Sequence, residues 1–273
     1  MTSSNEKGIP SDHILGFARS LLSHRFGQGR HKPHEVFQTS TVISLMEGLY
    51  DGNVPYRAVM RHGDFGIGTF NALDGEMVAL DGRFFHLRND GSVRAVSGDE
   101  LTPFAAVTRF QPNIDHTEEG QLTRRQCEEV IHRLAPSDNL FYALRIDGHF
   151  TSIKTRTASK QSKPYPRLVD AAASEPIVIL ADTTGTIVGF HTPDYAQGIS
   201  VAGYHLHFLS ADHQSGGHVF DFTVDSPRIR IDSEAELHLS LQETDEFLST
   251  RFPGDVSAEI SRAEMSETAP PDS

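Results

Sequence analysis

The stretch GYHLHFLSADHQSGGHVFDF, residues 203–222, decides how this chain reads. Tyr204–Leu209 suits a strand, in which residues two apart share a face, so His205 and His207 point the same way. Ser210–Gly216 is crowded with turn formers, and Gly217 opens a returning strand. An antiparallel hairpin with position 207 near position 218 puts His218 on that face too. Three imidazoles then converge within one hairpin, which is the donor set of a catalytic zinc: three neutral nitrogens, with the remaining positions open to water or substrate. Neutral ligands leave the dication's charge uncancelled and its Lewis acidity high. The competing reading is coincidence, since a chain with 15 histidines produces H-x-H by chance. A third histidine across a glycine-rich turn favours the metal. His213, inside the turn, reads as a solvated loop residue. His24, His31 and His34 lack strand or helix spacing and read as surface.

Outward from this hairpin the text is dense in strands and turns. Glu76–Leu80, Asp81-Gly82 and Arg83–Leu87 read as a hairpin, and Asn89-Asp-Gly91 leads into a further strand at Ser92–Val96. Leu140–Ile146 and His149–Thr157 read as a second hairpin about Asp147-Gly148. Strands are also expected at 65–71, Phe104–Gln111, Pro176–Leu180, Gly185–Phe190, His218–Val224, Ile229–Ile231 and Leu237–Leu241. Helices are expected at Val54–Arg61, Thr123–Leu134 and Thr244–Arg251. The class is α+β: mostly antiparallel or mixed sheets in two packed subdomains with a few flanking helices. The polar run SKQSKPYP (159–166) marks the boundary, giving 36–165 as a mixed-sheet subdomain and 166–265 as a zinc-binding β subdomain. Residues 1–35 read as an extension with a short amphipathic helix, and 266–273 as a disordered tail.

Composition sets outer bounds. Hydrophobic residues are 37% and charged residues 22% of 273, an ordinary globular balance. No run approaches the roughly 18 apolar residues of a membrane span. A net charge of −13 argues against non-specific nucleic-acid binding, which needs a basic footprint. The single cysteine, Cys127, rules out an internal disulfide and a cysteine-rich metal site. It shares a helical apolar stripe with Val130, Ile131 and Leu134, so it reads as core. The first thirty residues lack the pattern of a secretory signal, and a cytoplasmic protein is expected.

The chain resembles the α-acetolactate decarboxylase family from about Phe37 to Phe222, more loosely to Glu264. The resemblance rests on FQTSTVISLMEGLYDG, HGDFGIGTFNALDGEMVALDG, TPFAAVTRFQP, FYALRIDGHFTSIKTRT, KPYP, GTIVGFHTPDYAQGISVAGYHLHFLSADHQSGGH and VFDF. It implies a zinc-dependent enzyme that converts 2-acetolactate to (R)-acetoin and CO2 through a zinc-stabilised enediolate. It also implies a homodimer, with no nucleic-acid or membrane partner. Zn2+ would sit on His205, His207 and His218. Four further residues match site positions: Glu76 a carboxylate near the metal, Thr69 a pocket residue, Arg156 the arginine facing the substrate, and Glu264 a C-terminal glutamate. Glu259 is the alternative to Glu264. Ser159 and Ala202 stand where prolines are usual.

This chemistry is consistent with the residues. Decarboxylation of a β-keto acid needs charge stabilised on the ketone oxygen, which a Lewis acid does directly. Arg156 would orient the substrate carboxylate with its planar fork. With a pKa above about 12 it is a poor proton source, so water or Glu76 would relay the proton. Two other readings stand beside this one. A cupin-like dioxygenase or isomerase also uses H-x-H, but with a glutamate a few residues later, where this chain has Phe208-Leu-Ser-Ala-Asp212. A non-enzymatic zinc-binding module would hold metal without releasing CO2.

Overall fold

The Asp81-Gly82 turn forms where the sequence expects it. Asp81 and Gly82 take positive φ (52° and 75°), and Leu80 pairs with Arg83 across it. In this computed structural model, residues 34–173, 175–254 and 256–265 are described. The expected N-terminal helix, His24, His31 and the tail 266–273 lie outside them.

Seven strands, numbered in chain order, build a mixed sheet: β1 (Glu35–Thr39), β3 (Phe65–Thr69), β4 (Glu76–Leu80), β5 (Arg83–Leu87), β6 (Val93–Ala95), β8 (Ala105–Thr108) and β15 (Glu236–Ser240). Their order is β15-β1-β8-β3-β4-β5-β6, and the β1–β15 pair is parallel. β2 (Val54–Pro55) pairs separately with β7 (Leu101–Thr102). The second sheet holds β9 (Ile114–Thr117), β10 (Gln121–Thr123), β11 (Phe141–Arg156), β12 (Val178–Thr192), β13 (Gly203–Ser210) and β14 (Gly216–Glu234). β14 pairs with β11, β11 with β12, β12 with β13, and β13 returns to β14, so four strands close a ring. Both sheets draw strands from either side of residue 165. The architecture is α+β, as expected.

The long strands correct three expectations. Asp147-Gly148 is not a hairpin turn: β11 runs unbroken through it, shifting register against β14 between Asp147 and His149. Asp147 is held within the sheet by Arg145, Thr186 and Arg230. Gly148 lies so near β14 that a Cβ would sit 2.5 Å from Val224 Cγ2. The pair therefore makes a bulge and not a reversal. The two expected strands at 176–180 and 185–190 are likewise one, as are 218–224 and 229–231. Asp182 and Ser226 absorb the irregularity with positive φ (47° and 41°).

One core fills the ring, with Phe150, Phe208, Phe222 and Ile229 among its buried members, and is closed by the Arg124–Leu134 helix. That helix starts on a complete capping box between Thr123 and Gln126 and buries Cys127, Val130 and Ile131, as its spacing requires. A second core joins the sheets through Ile67 and Val78 on one side and Val188 and Leu209 on the other. A third gathers the helices Val42–Met46, Leu168–Ala173 and Ser257–Met265 around Leu73 and Phe104. No helix among the described residues is long and apolar enough to cross a membrane.

Candidate metal centre and active-site cleft

β13 and β14 meet with His207 opposite His218, the register that brings three imidazoles onto one face. Glycine makes the approach possible: a Cβ on Gly216 would lie 2.2 Å from the Phe208 carbonyl oxygen. The rings of His205, His207 and His218 stand 5.2, 5.2 and 5.5 Å apart, centre to centre. One nitrogen from each lies within 4.8 Å of the others.

The protonation pattern suits a metal. His207 Nδ1 lies 3.1 Å from the Met77 carbonyl oxygen, to which it donates, and this leaves the Nε2 lone pair free. That Nε2 is buried and has no hydrogen-bond partner. His218 Nε2 donates to the Glu264 carbonyl oxygen at 2.9 Å, which leaves Nδ1 facing the cluster. A metal ligand typically has its second ring nitrogen tied in this way. Burial pushes His205 down to about 4, His207 to about 3 and His218 well below the usual imidazole range, so all three are neutral donors. The residues therefore fit a zinc ion in chemistry, burial and lone-pair direction.

Two carboxylates flank the rings. Glu76 Oε2 is 3.7 Å from His207 Nε2, and Glu264 Oε2 is 3.6 Å from His205 Nε2 and 3.7 Å from His218 Nδ1. Gly75 takes a positive φ (88°) in the turn that presents Glu76, and Ala72 and Leu73 just before it also hold positive φ. Burial raises Glu76 to about 8 and Glu264 to about 7. A dication among the imidazoles would reverse that direction. Glu259 is not in the cluster; it pairs with Arg167 at 2.6 Å.

Arg156, at the end of β11, pairs with His218 across β14. Its Nη2 donates to the Ala263 carbonyl oxygen at 2.6 Å, and its guanidinium lies 4.8 Å from the Phe220 ring centre. Thr69 is buried, and its hydroxyl donates to the Gly75 carbonyl oxygen at 2.7 Å, which braces the turn beneath Glu76. All seven residues expected from the sequence border one cleft of about 540 Å³ of empty space. Sequence reasoning missed the cleft's apolar lining, Leu45, Leu73, Phe104, Leu168 and Ala172 among it, and also Glu175. No spacing signals these residues; tertiary packing alone delivers them.

Comparison with known proteins identifies the family. The sequence model of the alpha-acetolactate decarboxylase family matches residues 36–253. Alpha-acetolactate decarboxylase of Bacillus licheniformis is 46% identical over 231 residues, 84% of this chain and 91% of that protein. The Methylococcus capsulatus enzyme is 44% identical over 234 residues, 86% of this chain and 90% of that protein. The crystal structure of alpha-acetolactate decarboxylase from Bacillus subtilis strain 168 superposes with a TM-score of 0.83 at 42% identity, covering 85% of this chain and all of that one. With most of its length matched, and with the acid residues and imidazoles gathered in one cleft, this chain belongs to the alpha-acetolactate decarboxylase family of carboxy-lyases.

Proposed function

We propose that this acetolactate decarboxylase is zinc-dependent and releases (R)-acetoin and CO2 from 2-acetolactate. The observation that carries the reading is the convergence of three neutral imidazoles, two of them buried and one of these with a partnerless Nε2. Zinc bound there by His205, His207 and His218 would supply a Lewis acid for the charge that develops on the substrate's ketone oxygen.

The chain's own groups do the rest. Arg156 offers a rigid fork to the substrate carboxylate, and its backbone-carbonyl tether fixes that fork beside His218. Glu76 and Glu264 are the carboxyls near enough to hold a proton or pass one to the carbon that loses CO2. Because they line one cleft, that proton arrives on one face and a single enantiomer results. Thr69 keeps the Glu76 turn in place. The apolar wall accepts the methyl groups and excludes water. A cupin-like reading loses support because Asp212, after the H-x-H pair, is spent on the turn, accepting from Ser210 Oγ at 2.6 Å.

The reading includes a cytoplasmic homodimer. Ile177, Val178 and Ile179 are 44%, 47% and 60% exposed, and β13 covers β12 only from Gly185 onward. A second copy would shield such an apolar strand edge. Sedimentation at twice the monomer mass would support this, and sedimentation at the monomer mass would remove it. For the activity, the deciding experiment is metal analysis of the purified protein beside chiral acetoin detection from racemic acetolactate. A metal-free preparation with full turnover would overturn the zinc assignment.

A further inference from the structure

The cleft's remaining charged group, Glu175, touches none of the imidazoles, yet its bonds run toward both catalytic arms. One carboxylate oxygen accepts from the Ser159 backbone N–H at 2.7 Å. The other accepts from Ser159 Oγ at 3.0 Å and from Asn89 Nδ2 at 2.8 Å. The same Asn89 amide donates to the Thr157 carbonyl oxygen at 2.6 Å. Between these two anchored residues lies Ala158, whose backbone N–H donates to Glu76 Oε1 at 3.2 Å. Immediately before them is Arg156. Residues 157–159 leave the end of β11 and have no strand partner there to fix them.

We propose that Glu175 is a positioning residue for the decarboxylation. Its carboxylate, with Asn89, clamps residues 157–159 so that the Ala158 amide holds Glu76 and the Arg156 backbone keeps its register. The inference rests on the roles given above to Glu76 and Arg156. The physical reason is entropic. A strand end held by one bond samples several backbone states, and each side chain it orients inherits that spread. Three bonds from Glu175 and Asn89 to the segment, with a fourth joining the two side chains, leave one state. A carboxylate suits the task because it accepts on both oxygens and donates nothing, while all its partners here are donors. These bonds join positions 16 and 86 residues apart in sequence, which explains why no local motif announces them.

The test uses the full-length zinc-loaded protein and three variants. Glu175→Ala should lower kcat roughly 10-fold to 100-fold, the cost typical of losing an outer positioning partner, with KM within about threefold and bound zinc unchanged. Glu175→Gln keeps an acceptor for the Ser159 N–H but sets an amide donor against Asn89 Nδ2, and should recover only part of that loss. Asn89→Ala removes the clamp's second side chain, with its bonds to Glu175 and to the Thr157 carbonyl oxygen, and should reproduce the kcat deficit. Combining it with Glu175→Ala should add little, because both break one clamp. Wild-type kcat in a folded Glu175→Ala or Asn89→Ala protein would overturn the proposal, as would deficits that multiply in the double variant. Should Glu175→Ala fail to fold, Asn89→Ala decides alone. A wild-type protein that leaves acetolactate untouched would instead overturn the function itself.

Discussion

His207 shows how one residue is prepared to serve as a metal ligand. Strand alternation aims its ring, a carbonyl on the neighbouring sheet fixes its tautomer, and burial keeps it neutral. Changing His205, His207 or His218 to alanine should abolish bound zinc and turnover together, read by metal analysis and acetoin assay on the same sample. Arg156→Ala should differ: zinc stays, while kcat falls by roughly 10²–10³, the range for losing one charge-stabilising donor. Near-normal turnover would remove Arg156 from the mechanism. Glu234 gives a residue-scale prediction about stability. Its carboxyl is 1% exposed and makes no well-formed hydrogen bond, and burial raises it to about 8, with the nearby Thr108 hydroxyl opposing the rise and Asp232 and Glu35 adding repulsion. Since the folded value exceeds the ordinary 4.5, its contribution is complete below about pH 4.5 and is lost as pH rises through 8. Glu234→Gln should therefore melt several degrees above wild type at pH 8–9 and close to it at pH 4–5. The opposite trend in pH-dependent calorimetry would refute the assignment.

At the scale of elements, legibility follows range. The 76–87 hairpin, the capped helix at 124–134 and the 207–218 register were all readable, because each is decided by residues close in sequence. The Asp147-Gly148 bulge was not. Two residues of turn chemistry look the same whether the chain reverses or merely kinks, and only Val224 and Arg230, some eighty residues away, decide it. The Arg124–Leu134 helix supplies the matching test. Thr123 Oγ1 accepts from the Gln126 backbone N–H and the Gln126 side chain returns the contact, so Thr123→Ala should cost about 1 kcal/mol. For a chain of this size that lowers Tm by roughly 2–4 °C. Specific activity should hold, because no residue of the helix lines the cleft. A fall in kcat without a fall in Tm would show that the helix has another task.

Across the whole molecule, the site is a long-range assembly. β4 brings Glu76, β11 brings Arg156, β13 and β14 bring the imidazoles, and the Ser257–Met265 helix brings Glu264. The candidate metal ligands were legible because they share a hairpin. Glu264 was ambiguous against Glu259 because both lie on one short helix, and only tertiary placement turns one toward His205 and the other toward Arg167. That helix is bound to the rest by its buried Ile260 and Ala263 and by the two carbonyls that accept from Arg156 and His218. It contributes no strand to either sheet. Deleting residues 257–273 should leave both sheets folded, with Tm lowered by roughly 5–15 °C for the lost apolar burial. Zinc should remain, since all three imidazoles stay on β13 and β14. Turnover should fall at least about 100-fold, because Arg156 loses its tether and the cleft loses a carboxyl. Glu264→Gln should reproduce most of that loss, and Glu259→Gln should reproduce little of it. A truncated protein that decarboxylates acetolactate at the full rate would show that the helix only covers a site completed by the strands.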